Sequence, residues 1–372
     1  MTRPLIGRRA FLAGAASLLL SRPSRAAQEA PAWHDVQDWG VEGKGWKETA
    51  RYYDRFPSKA EKAVPAPVWS LSRHSAGMLA RFETDSPVIH ARWSVLNPTL
   101  ALPHMPATGV SGLDLYARDE QGRDRWLAVA KPTQQKMELK LAGPVDLLPG
   151  GKRRLYTVYL PLYNGTESLE IGVEAKASFE PVAPRADKPV VFYGTSILHG
   201  ACASRPGMAF PAILGRRFNR PTINLGFSGN GRMEPEVGAL LAELDPCLYA
   251  IDCLPNMTPE QVAERAEPLV RRLRKARPDA PILLVEDRTF TAAPFLKGSR
   301  DAHAARRAAL RKAHAALVAD GMKGLGYLEG EGLLGEDGEA ATDGSHPNDL
   351  GMQRYADAYE REMRKLLDPK KE

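Results

Sequence analysis

Five short apolar runs that alternate with five helical stretches constrain the fold of the C-terminal half of this chain. The predicted strands are Val190–Tyr193, Thr222–Leu225, Leu248–Asp252, Ile282–Glu286 and Leu325–Leu328. The predicted helices are Ala209–Phe218, Glu236–Leu244, Pro259–Ala276, Asp301–Ala319 and Asp349–Leu367. Continuous apolar strands joined by helices are typical of a parallel sheet that is covered on both faces. The pattern therefore predicts a three-layer α/β/α domain with a five-stranded parallel sheet.

The N-terminal half follows a different pattern. Residues 69–179 contain short alternating runs rich in β-forming residues, and Gln121-Gly122 and Asn164-Gly165 supply hairpin-like turns. Regularly spaced short strands with such turns predict an antiparallel β-sandwich or jelly roll. A proline-rich segment, residues 180–189, separates the two patterns. We therefore predict a β-sandwich or jelly-roll domain over residues 27–183 and an α/β domain over residues 184–372.

The extreme N-terminus has the features of an export signal. A twin arginine, Arg8-Arg9, precedes an apolar run from Ala10 to Leu20, and Ser24-Arg25-Ala26 offers a cleavage site between small residues. The apolar run is too short to span a bilayer, and no cysteine follows it that could carry a lipid anchor. We predict a twin-arginine signal peptide at residues 1–26, no stable membrane anchor, and a periplasmic or secreted mature protein.

Net charge argues against a nucleic-acid partner once the signal is set aside. The full chain has 51 Lys and Arg against 45 Asp and Glu, a net charge of +6. Five of the arginines lie within the first 26 residues, which leaves 46 basic and 45 acidic residues in the predicted mature protein. No clustered basic stripe with interleaved aromatics remains, so nucleic-acid binding is not expected.

Candidate catalytic residues follow four of the five predicted strands. Ser196 follows the first strand, Gly229 the second, Asn256 the third and His346 the fifth. Because the carboxyl ends of parallel strands meet at one edge of the sheet, these residues are expected to lie close together. Asp343, three residues before His346, can orient the imidazole, which can then take a proton from the Ser196 hydroxyl. A glycine N–H and an Asn amide are suitable donors to an oxyanion.

A second serine motif does not fit the pattern of a nucleophile. The nucleophile elbow of the α/β-hydrolases requires Gly-x-Ser-x-Gly. The segment Gly226-Phe-Ser228-Gly-Asn230 fails at its last position, so Ser228 is predicted to make turn hydrogen bonds rather than to act as a nucleophile.

Four sequence blocks together resemble the SGNH (GDSL-type) hydrolases. Tyr193-Gly-Thr-Ser196-Ile is similar to the nucleophile block, residues 224–229 to the glycine block, Asn256 to the asparagine block and Asp343-x-x-His346-Pro to the last block. The resemblance implies Ser196 as nucleophile, His346 as base and Asp343 as its orienter. It also implies an oxyanion hole made by the Ser196 and Gly229 N–H groups and the Asn256 side chain. The chain departs from the family pattern at Thr195, where GDSL has Asp, and its third block lacks the usual Gly-x-Asn-Asp form.

Two further segments resemble one bacterial subgroup of that family. Gly112-x-Asp-Leu-Tyr116 and residues 194–208 are similar to members in which a β-rich domain precedes the hydrolase domain. The architecture also resembles two-domain carbohydrate esterases that remove acetyl groups. The resemblance implies a serine esterase, without a cofactor, that acts on a small-molecule or oligosaccharide ester. A lipase-like or thioesterase activity on longer acyl chains, and a non-catalytic glycan-binding protein, remain alternatives.

Two residues near the nucleophile are candidates for substrate binding. His199 is three residues past Ser196 and lines the pocket in one interpretation, or lies in a solvated loop in the other. Arg205 contacts a polar substrate in one interpretation, or forms a structural salt bridge in the other.

No metal site is predicted from the remaining histidines. His303 and His314 lie on a charged helix and are expected at the surface. Four further histidines show no metal-ligand spacing with Cys or carboxylates. They are His34, His74, His90 and His104.

Overall fold

The structure of the chain is a computed structural model that describes residues 29–146 and 148–368, together with Thr2. Apart from Thr2, the predicted signal peptide at residues 1–26 lies outside the described residues. Among the described helices, none is both long enough and apolar enough to cross a membrane.

The N-terminal half forms two antiparallel sheets. One has the strand order β1-β8-β3-β6 and the other has the order β5-β4-β7-β2-β9. The strands are β1 Ala32–Asp35, β2 Leu79–Thr84, β3 Ile89–Val95, β4 Asp114–Arg118, β5 Asp124–Val129, β6 Lys136–Ala142, β7 Arg154–Tyr159, β8 Thr166–Val173 and β9 Phe179–Val182. Residues from both sheets, including Phe82, Trp93, Val158 and Ile171, share one buried apolar core. The predicted antiparallel sandwich is confirmed.

Of the two predicted turns, only one joins paired strands. Gly122 has φ +76° in the turn between β4 and β5, which pair as an antiparallel hairpin. Asn164-Gly165 instead links β7 in one sheet to β8 in the other, so the hairpin-like assignment there is wrong. Asn164 is fully buried, and its amide donates to the carbonyl of Asn97 and to Ser111 Oγ. The Asn164 side chain therefore stabilises the connection between the two sheets.

The C-terminal half contains the predicted five-stranded parallel sheet. Its strands are β10 Val190–Gly194, β11 Thr222–Gly226, β12 Leu248–Asp252, β13 Ile282–Val285 and β14 Leu325–Leu328. The order is β11-β10-β12-β13-β14, and every neighbouring pair is parallel. Every residue of β10, β11, β12 and β13 is buried, as the apolar runs predicted. The order reverses between β10 and β12, which places a crevice beyond the carboxyl end of β10.

Helices cover both faces of this sheet. The helices of the described chain are α1 Ala66–Ser72, α2 Ala107–Val110, α3 Ser196–His199, α4 Phe210–Arg217, α5 Pro235–Leu241, α6 Pro259–Ala276, α7 Lys297–Ala319 and α8 Asp349–Leu367. Two begin with a side-chain cap: Thr258 and Gln261 form a capping box at α6, and Asn348 accepts from Gly351 N–H at α8. Helix α7 begins four residues before the predicted Asp301.

The segment between β1 and β2 packs on the parallel sheet. Phe56 and Val68 belong to the same buried cluster as Val191 of β10 and Phe227, which follows β11. Arg55 is buried beside them and lies over the Phe227 ring, with the guanidinium carbon 4.9 Å from the ring centroid. Part of the N-terminal half therefore supports the sheet edge that carries the candidate site.

Candidate active site

Ser196 lies where the central strand of the parallel sheet turns into a helix. It is the first residue of α3, two residues after β10 ends at Gly194, and it is 7% exposed. Its Oγ is 2.9 Å from Nε2 of His346. The N–H groups of the first helical turn have no partner within the helix, and the Ser196 N–H has no acceptor among the described residues, so it can face an anion.

A compact turn fixes the orientation of His346. Its Nδ1 is 2.7 Å from Oδ2 of Asp343, while Oδ1 of Asp343 accepts the N–H groups of His346 at 2.8 Å and Ser345 at 3.0 Å. Partial burial raises the pKa of Asp343, but the hydrogen bonds from His346 and Ser345 outweigh it and lower that pKa to about 2. Asp343 is therefore ionised at neutral pH, and it holds the imidazole with Nε2 directed at Ser196.

Arg288 braces this turn from the neighbouring loop. The residue follows β13 and is 3% exposed. Its Nε donates to the Ser345 carbonyl at 3.2 Å, and its terminal nitrogens bind Ser345 Oγ and Asp287. Thr291 N–H adds a bond to the Gly344 carbonyl at 3.0 Å. No short-range pattern in the sequence marks Arg288 as a support of a turn 55 residues later.

Two further candidate oxyanion donors meet at the ends of β11 and β12. Gly229 has φ +68° and is exposed, and its N–H has no acceptor within the part of the chain that the structure describes. Asn256 is half-buried and donates from Nδ2 to the Asn230 carbonyl at 2.8 Å. An amide nitrogen carries two hydrogens, so a second N–H of Asn256 remains available. These residues, like Ser196, lie beyond the carboxyl ends of adjacent strands.

Residues 224–229, the glycine loop, are hydrogen-bonded to the nucleophile helix α3. Asn224 Nδ2 donates to the Leu198 carbonyl at 2.8 Å, and its Oδ1 accepts Gly226 N–H at 2.9 Å. A Cβ on Gly226 would lie 2.2 Å from the backbone nitrogen of His199, so only glycine allows this approach. Arg55 donates to the carbonyls of Asn224 at 3.0 Å and Gly226 at 2.8 Å. The N-terminal half thus helps to hold the two loops together.

His199 neither lines the pocket nor lies in solvent, so both interpretations of it were wrong. The side chain is fully buried and stacks on Tyr163, with ring centroids 4.1 Å apart. Desolvation lowers the pKa of His199 well below its usual value. Because α3 directs it into the interior behind Ser196, it packs the back of the nucleophile helix. Tyr163 also donates its hydroxyl to the Ser196 carbonyl at 3.2 Å.

Arg205 forms the salt bridge that was one of its two interpretations. Its guanidinium donates to Asp114 at 2.9 Å and to the Tyr116 hydroxyl at 2.5 Å. Asp114 is fully buried and also accepts from Gly207 N–H at 2.8 Å. The Gly112-x-Asp-Leu-Tyr116 segment of the N-terminal half therefore anchors the loop that follows α3.

The surface position expected for His303 is also wrong. Its side chain is 3% exposed, and its Nε2 is 3.8 Å from Oδ2 of Asp287. Helix α7 begins before the predicted residue. The face of α7 that carries His303 packs towards the loop after β13. His314 is half-buried and lies against Tyr327, with ring centroids 4.8 Å apart.

One group of side chains in the described residues has donor atoms close enough to bind a metal ion. It consists of His104, Cys202 and His346, with ligand atoms within 4.8 Å of one another. His104 comes from the N-terminal half and was not singled out by sequence spacing.

Comparisons with known proteins identify both halves of the chain and agree with the fold. The model of the GDSL-like lipase/acylhydrolase family matches residues 187–364, and that of the GxDLY N-terminus of SGNH-type esterases matches residues 31–179. No curated protein sequence matches the chain. A structure from Bacteroides ovatus, classed as a GDSL-like lipase, is 34% identical at a TM-score of 0.85, with 91% of this chain and 98% of that chain covered.

Two more distant structures share the fold. The salicylyl-acyltransferase SsfX3 from a tetracycline biosynthetic pathway is 21% identical at a TM-score of 0.72, with 91% of this chain and 98% of that one covered. A family two carbohydrate esterase from Cellvibrio japonicus is 11% identical at a TM-score of 0.58, with 91% of this chain and 98% of that one covered. With its matching domains, its strand order and a relative 34% identical over almost its whole length, this chain belongs to the GDSL-like lipase/acylhydrolase (SGNH) family and is an ester hydrolase.

Proposed function

We propose that this protein removes acetyl groups from carbohydrate esters through an acyl-enzyme formed on Ser196. The observation that carries the proposal is the continuous relay of hydrogen bonds from Asp343 through His346 to Ser196, with contacts of 2.7 Å and 2.9 Å. Distances of this size allow the imidazole to accept the serine proton. The ionised Asp343 then stabilises the imidazolium that forms.

In the first half-reaction, Ser196 Oγ forms a bond to the acyl carbonyl carbon while its proton passes to His346 Nε2. The tetrahedral intermediate collapses as the bond to the alcohol oxygen breaks, and the imidazolium gives its proton to that oxygen. In the second half-reaction His346 takes a proton from water, whose oxygen attacks the acyl carbon. The Ser196 ester then breaks, the serine regains a proton from His346, and the free acid leaves.

The proposed oxyanion hole consists of Ser196 N–H, Gly229 N–H and the second Nδ2 hydrogen of Asn256. Removal of one such donor commonly costs about 10²- to 10³-fold in kcat. Gly229 suits the role because no atom lies within 4 Å of the position a Cβ would take there, and without a Cβ a ligand can approach its backbone N–H closely. The hydrogen bond from Asn256 to the Asn230 carbonyl holds its amide next to this loop.

Support for a carbohydrate acetyl ester comes from the likeness in architecture and from the predicted export. Family two carbohydrate esterases have the same fold, and Cellvibrio japonicus supplies one that covers 91% of this chain. Polysaccharide esters are found outside the cytoplasm, where a twin-arginine signal would send the protein. We propose a periplasmic or secreted location on the same grounds. Replacing Arg8 and Arg9 by lysine should retain the protein in the cytoplasm, as fractionation would measure.

The nucleophile is tested by Ser196→Ala with Ser228→Ala as the matched control. Ser228 lies in the neighbouring loop and is half-buried. A fluorophosphonate should label the wild type and Ser228→Ala but not Ser196→Ala, and only Ser196→Ala should lose turnover. Labelling or turnover retained in folded Ser196→Ala, as judged by circular dichroism, would refute the assignment.

The substrate is tested with p-nitrophenyl esters of increasing acyl length beside acetylated xylo-oligosaccharides. The proposal predicts that kcat/KM is highest for acetyl and falls with length, and that acetate is released from the oligosaccharide. A maximum at long chains would favour the lipase-like alternative. Glycan binding without hydrolysis would favour the non-catalytic one.

A further inference from the structure

Three segments that are distant in sequence bring two imidazoles and a thiol to one side of the candidate base. His104 comes from the N-terminal half, Cys202 follows the nucleophile helix α3, and His346 lies on the turn before α8. Their ligand atoms all lie within 4.8 Å of one another. The rings of His104 and His346 have centroids 5.8 Å apart. The proposed esterase mechanism uses neither His104 nor Cys202.

The side chain of His104 is presented by a closed turn. Leu102 N–H donates to the Met105 carbonyl and Met105 N–H donates to the Leu102 carbonyl, each at 3.0 Å. Met105 is buried in the same apolar cluster as Cys202 and α3, and Leu102 packs against that cluster. His104 itself is exposed. The backbone of the turn is therefore fixed while its imidazole stays accessible from solvent.

Cys202 is held at the base of the same site. It is 6% exposed, has φ +65°, and its Sγ lies 3.5 Å from the His104 carbonyl oxygen. Small shifts of these side chains are sufficient for coordination, because the ligands of a tetrahedral zinc ion with bonds of about 2.0 to 2.3 Å stand roughly 3.3 to 3.8 Å apart. Imidazole nitrogen and thiolate sulfur are ligands that zinc prefers.

From this arrangement we infer that His104, Cys202 and His346 form an inhibitory site for a borderline-soft divalent cation such as Zn²⁺. Three protein ligands leave a fourth tetrahedral position for water. When zinc binds, a Zn–S bond replaces the S–H bond of Cys202, and the thiol proton passes to solvent. Each imidazole forms a Zn–N bond with the lone pair of one ring nitrogen. The hard cation Mg²⁺ prefers oxygen ligands and is expected to bind poorly here.

Inhibition follows from the bonds that His346 already makes. Its Nε2 is bonded to Ser196 Oγ at 2.9 Å and its Nδ1 to Asp343 at 2.7 Å. Coordination through Nε2 removes the base from the nucleophile, and coordination through Nδ1 removes the orienting carboxylate. The bound ion therefore blocks proton transfer whichever nitrogen it uses.

Activity measurements test the inhibitory effect in the full chain. Hydrolysis of p-nitrophenyl acetate is followed with increasing ZnCl₂ in a buffer that does not bind metal, and each variant is normalised to its own rate without zinc. Wild type should be inhibited, EDTA should reverse the inhibition, and MgCl₂ should have no effect. His104→Gln and Cys202→Ser should each raise the half-inhibiting zinc concentration by at least about tenfold, since even the loss of an outer-shell partner commonly costs 10- to 100-fold in metal affinity.

Cys247 provides the matched control for the thiol. It is half-buried and its N–H bonds the Pro189 carbonyl just before β10, at the opposite edge of the parallel sheet. Cys247→Ser should be inhibited like wild type. Equal inhibition of wild type, His104→Gln and Cys202→Ser would overturn the inference, and so would the absence of zinc inhibition in wild type.

A second readout does not depend on esterase activity. Co²⁺ bound to a thiolate gives a charge-transfer band in the near ultraviolet, which should appear with wild type and with Ser196→Ala and be absent with Cys202→Ser. Because the band does not depend on turnover, it would report on the metal site even if Ser196 did not act as proposed. Absence of the band would overturn the site, and a band without inhibition would overturn the participation of His346.

Discussion

Replacing Arg288 by methionine should lower kcat by about 10²-fold while the protein stays folded. Arg288 binds the carbonyl and the hydroxyl of Ser345, the residue before the candidate base. Without it, the turn of His346 keeps the bond from Thr291 N–H to the Gly344 carbonyl at 3.0 Å and its own internal contacts. A displacement of about 1 Å at a reacting group can cost about 10²-fold in rate. Since Arg288 is 3% exposed, KM should change little.

The expected loss of stability is moderate. The variant leaves the half-buried Ser345 carbonyl without its guanidinium partner. An unsatisfied buried polar group costs about 1 to 3 kcal/mol, and access to water places this carbonyl at the lower end of that range. Asp287 loses Arg288 but keeps two bonds from Arg306, at 3.0 Å and 2.6 Å. A domain stability of about 5 to 15 kcal/mol absorbs a loss of this size.

Steady-state hydrolysis of p-nitrophenyl acetate and thermal unfolding measure the two effects separately. Arg274→Met is the matched control, because Arg274 also clamps carbonyls, among them those of Ala280 at 2.9 Å and Lys323 at 2.8 Å, at the opposite edge of the sheet. It should lose stability without losing kcat. Arg288→Lys, which keeps the charge but not the fork, should lie between wild type and Arg288→Met. The reasoning fails if folded Arg288→Met has the kcat of Arg274→Met.

Three other substitutions test the site and its support. Asp343→Asn should lower kcat/KM by about 10³- to 10⁴-fold at every pH, because the carboxylate, with a pKa of about 2, is ionised throughout the assay range; a loss below tenfold would contradict its role. Asp252 is fully buried, and desolvation raises its pKa to about 7 from a usual value near 4, so the folded state holds a proton that the unfolded chain releases as pH rises. The stability associated with that proton is present below about pH 4 and is lost as pH rises through 7. In urea unfolding, the free energy of unfolding of Asp252→Asn should therefore equal that of wild type at pH 4 and exceed it at pH 8, by at most about 4 kcal/mol. Equal free energies of unfolding at pH 8 would count against the raised pKa. Gly226→Ala should lower both stability and kcat, because its Cβ would lie 2.2 Å from the His199 backbone nitrogen. Gly298→Ala, which has no atom within 4 Å of its Cβ, should lower neither. If Gly226→Ala had no effect, α3 could move freely and the reasoning would be wrong.

Local patterns in the sequence were sufficient for the parallel sheet. Strands buried on both faces are continuous apolar runs, and the predicted strand Leu248–Asp252 matches the observed bounds. The half-buried edge strand Leu325–Leu328 also matches. Helix α6 matches as well, since Thr258, Pro259 and Gln261 mark its start. The positions of Ser196, Gly229, Asn256 and His346 followed from one topological rule, that parallel strands end at the same edge.

The errors arose where the environment of a residue depends on chain far away in sequence. The short distance of His199 from Ser196 along the chain suggests a place near the pocket, but the direction of its side chain depends on how α3 packs against Tyr163 and Gly226. The surface position of His303 failed for the same reason, because the loop after β13 covers that face of α7.

By itself, then, the sequence determined the strand and helix order, the antiparallel character of the N-terminal half and the set of residues that carry the chemistry, because these depend on periodicity and on short motifs. Only the tertiary structure decided that Arg288 braces the turn of His346, that Arg55, between β1 and β2, binds the carbonyl of Gly226, and that His104 and Cys202 approach His346. Such contacts join residues 57 to more than 200 positions apart. Their formation depends on how the layers pack, and packing leaves no periodic trace in the amino-acid order.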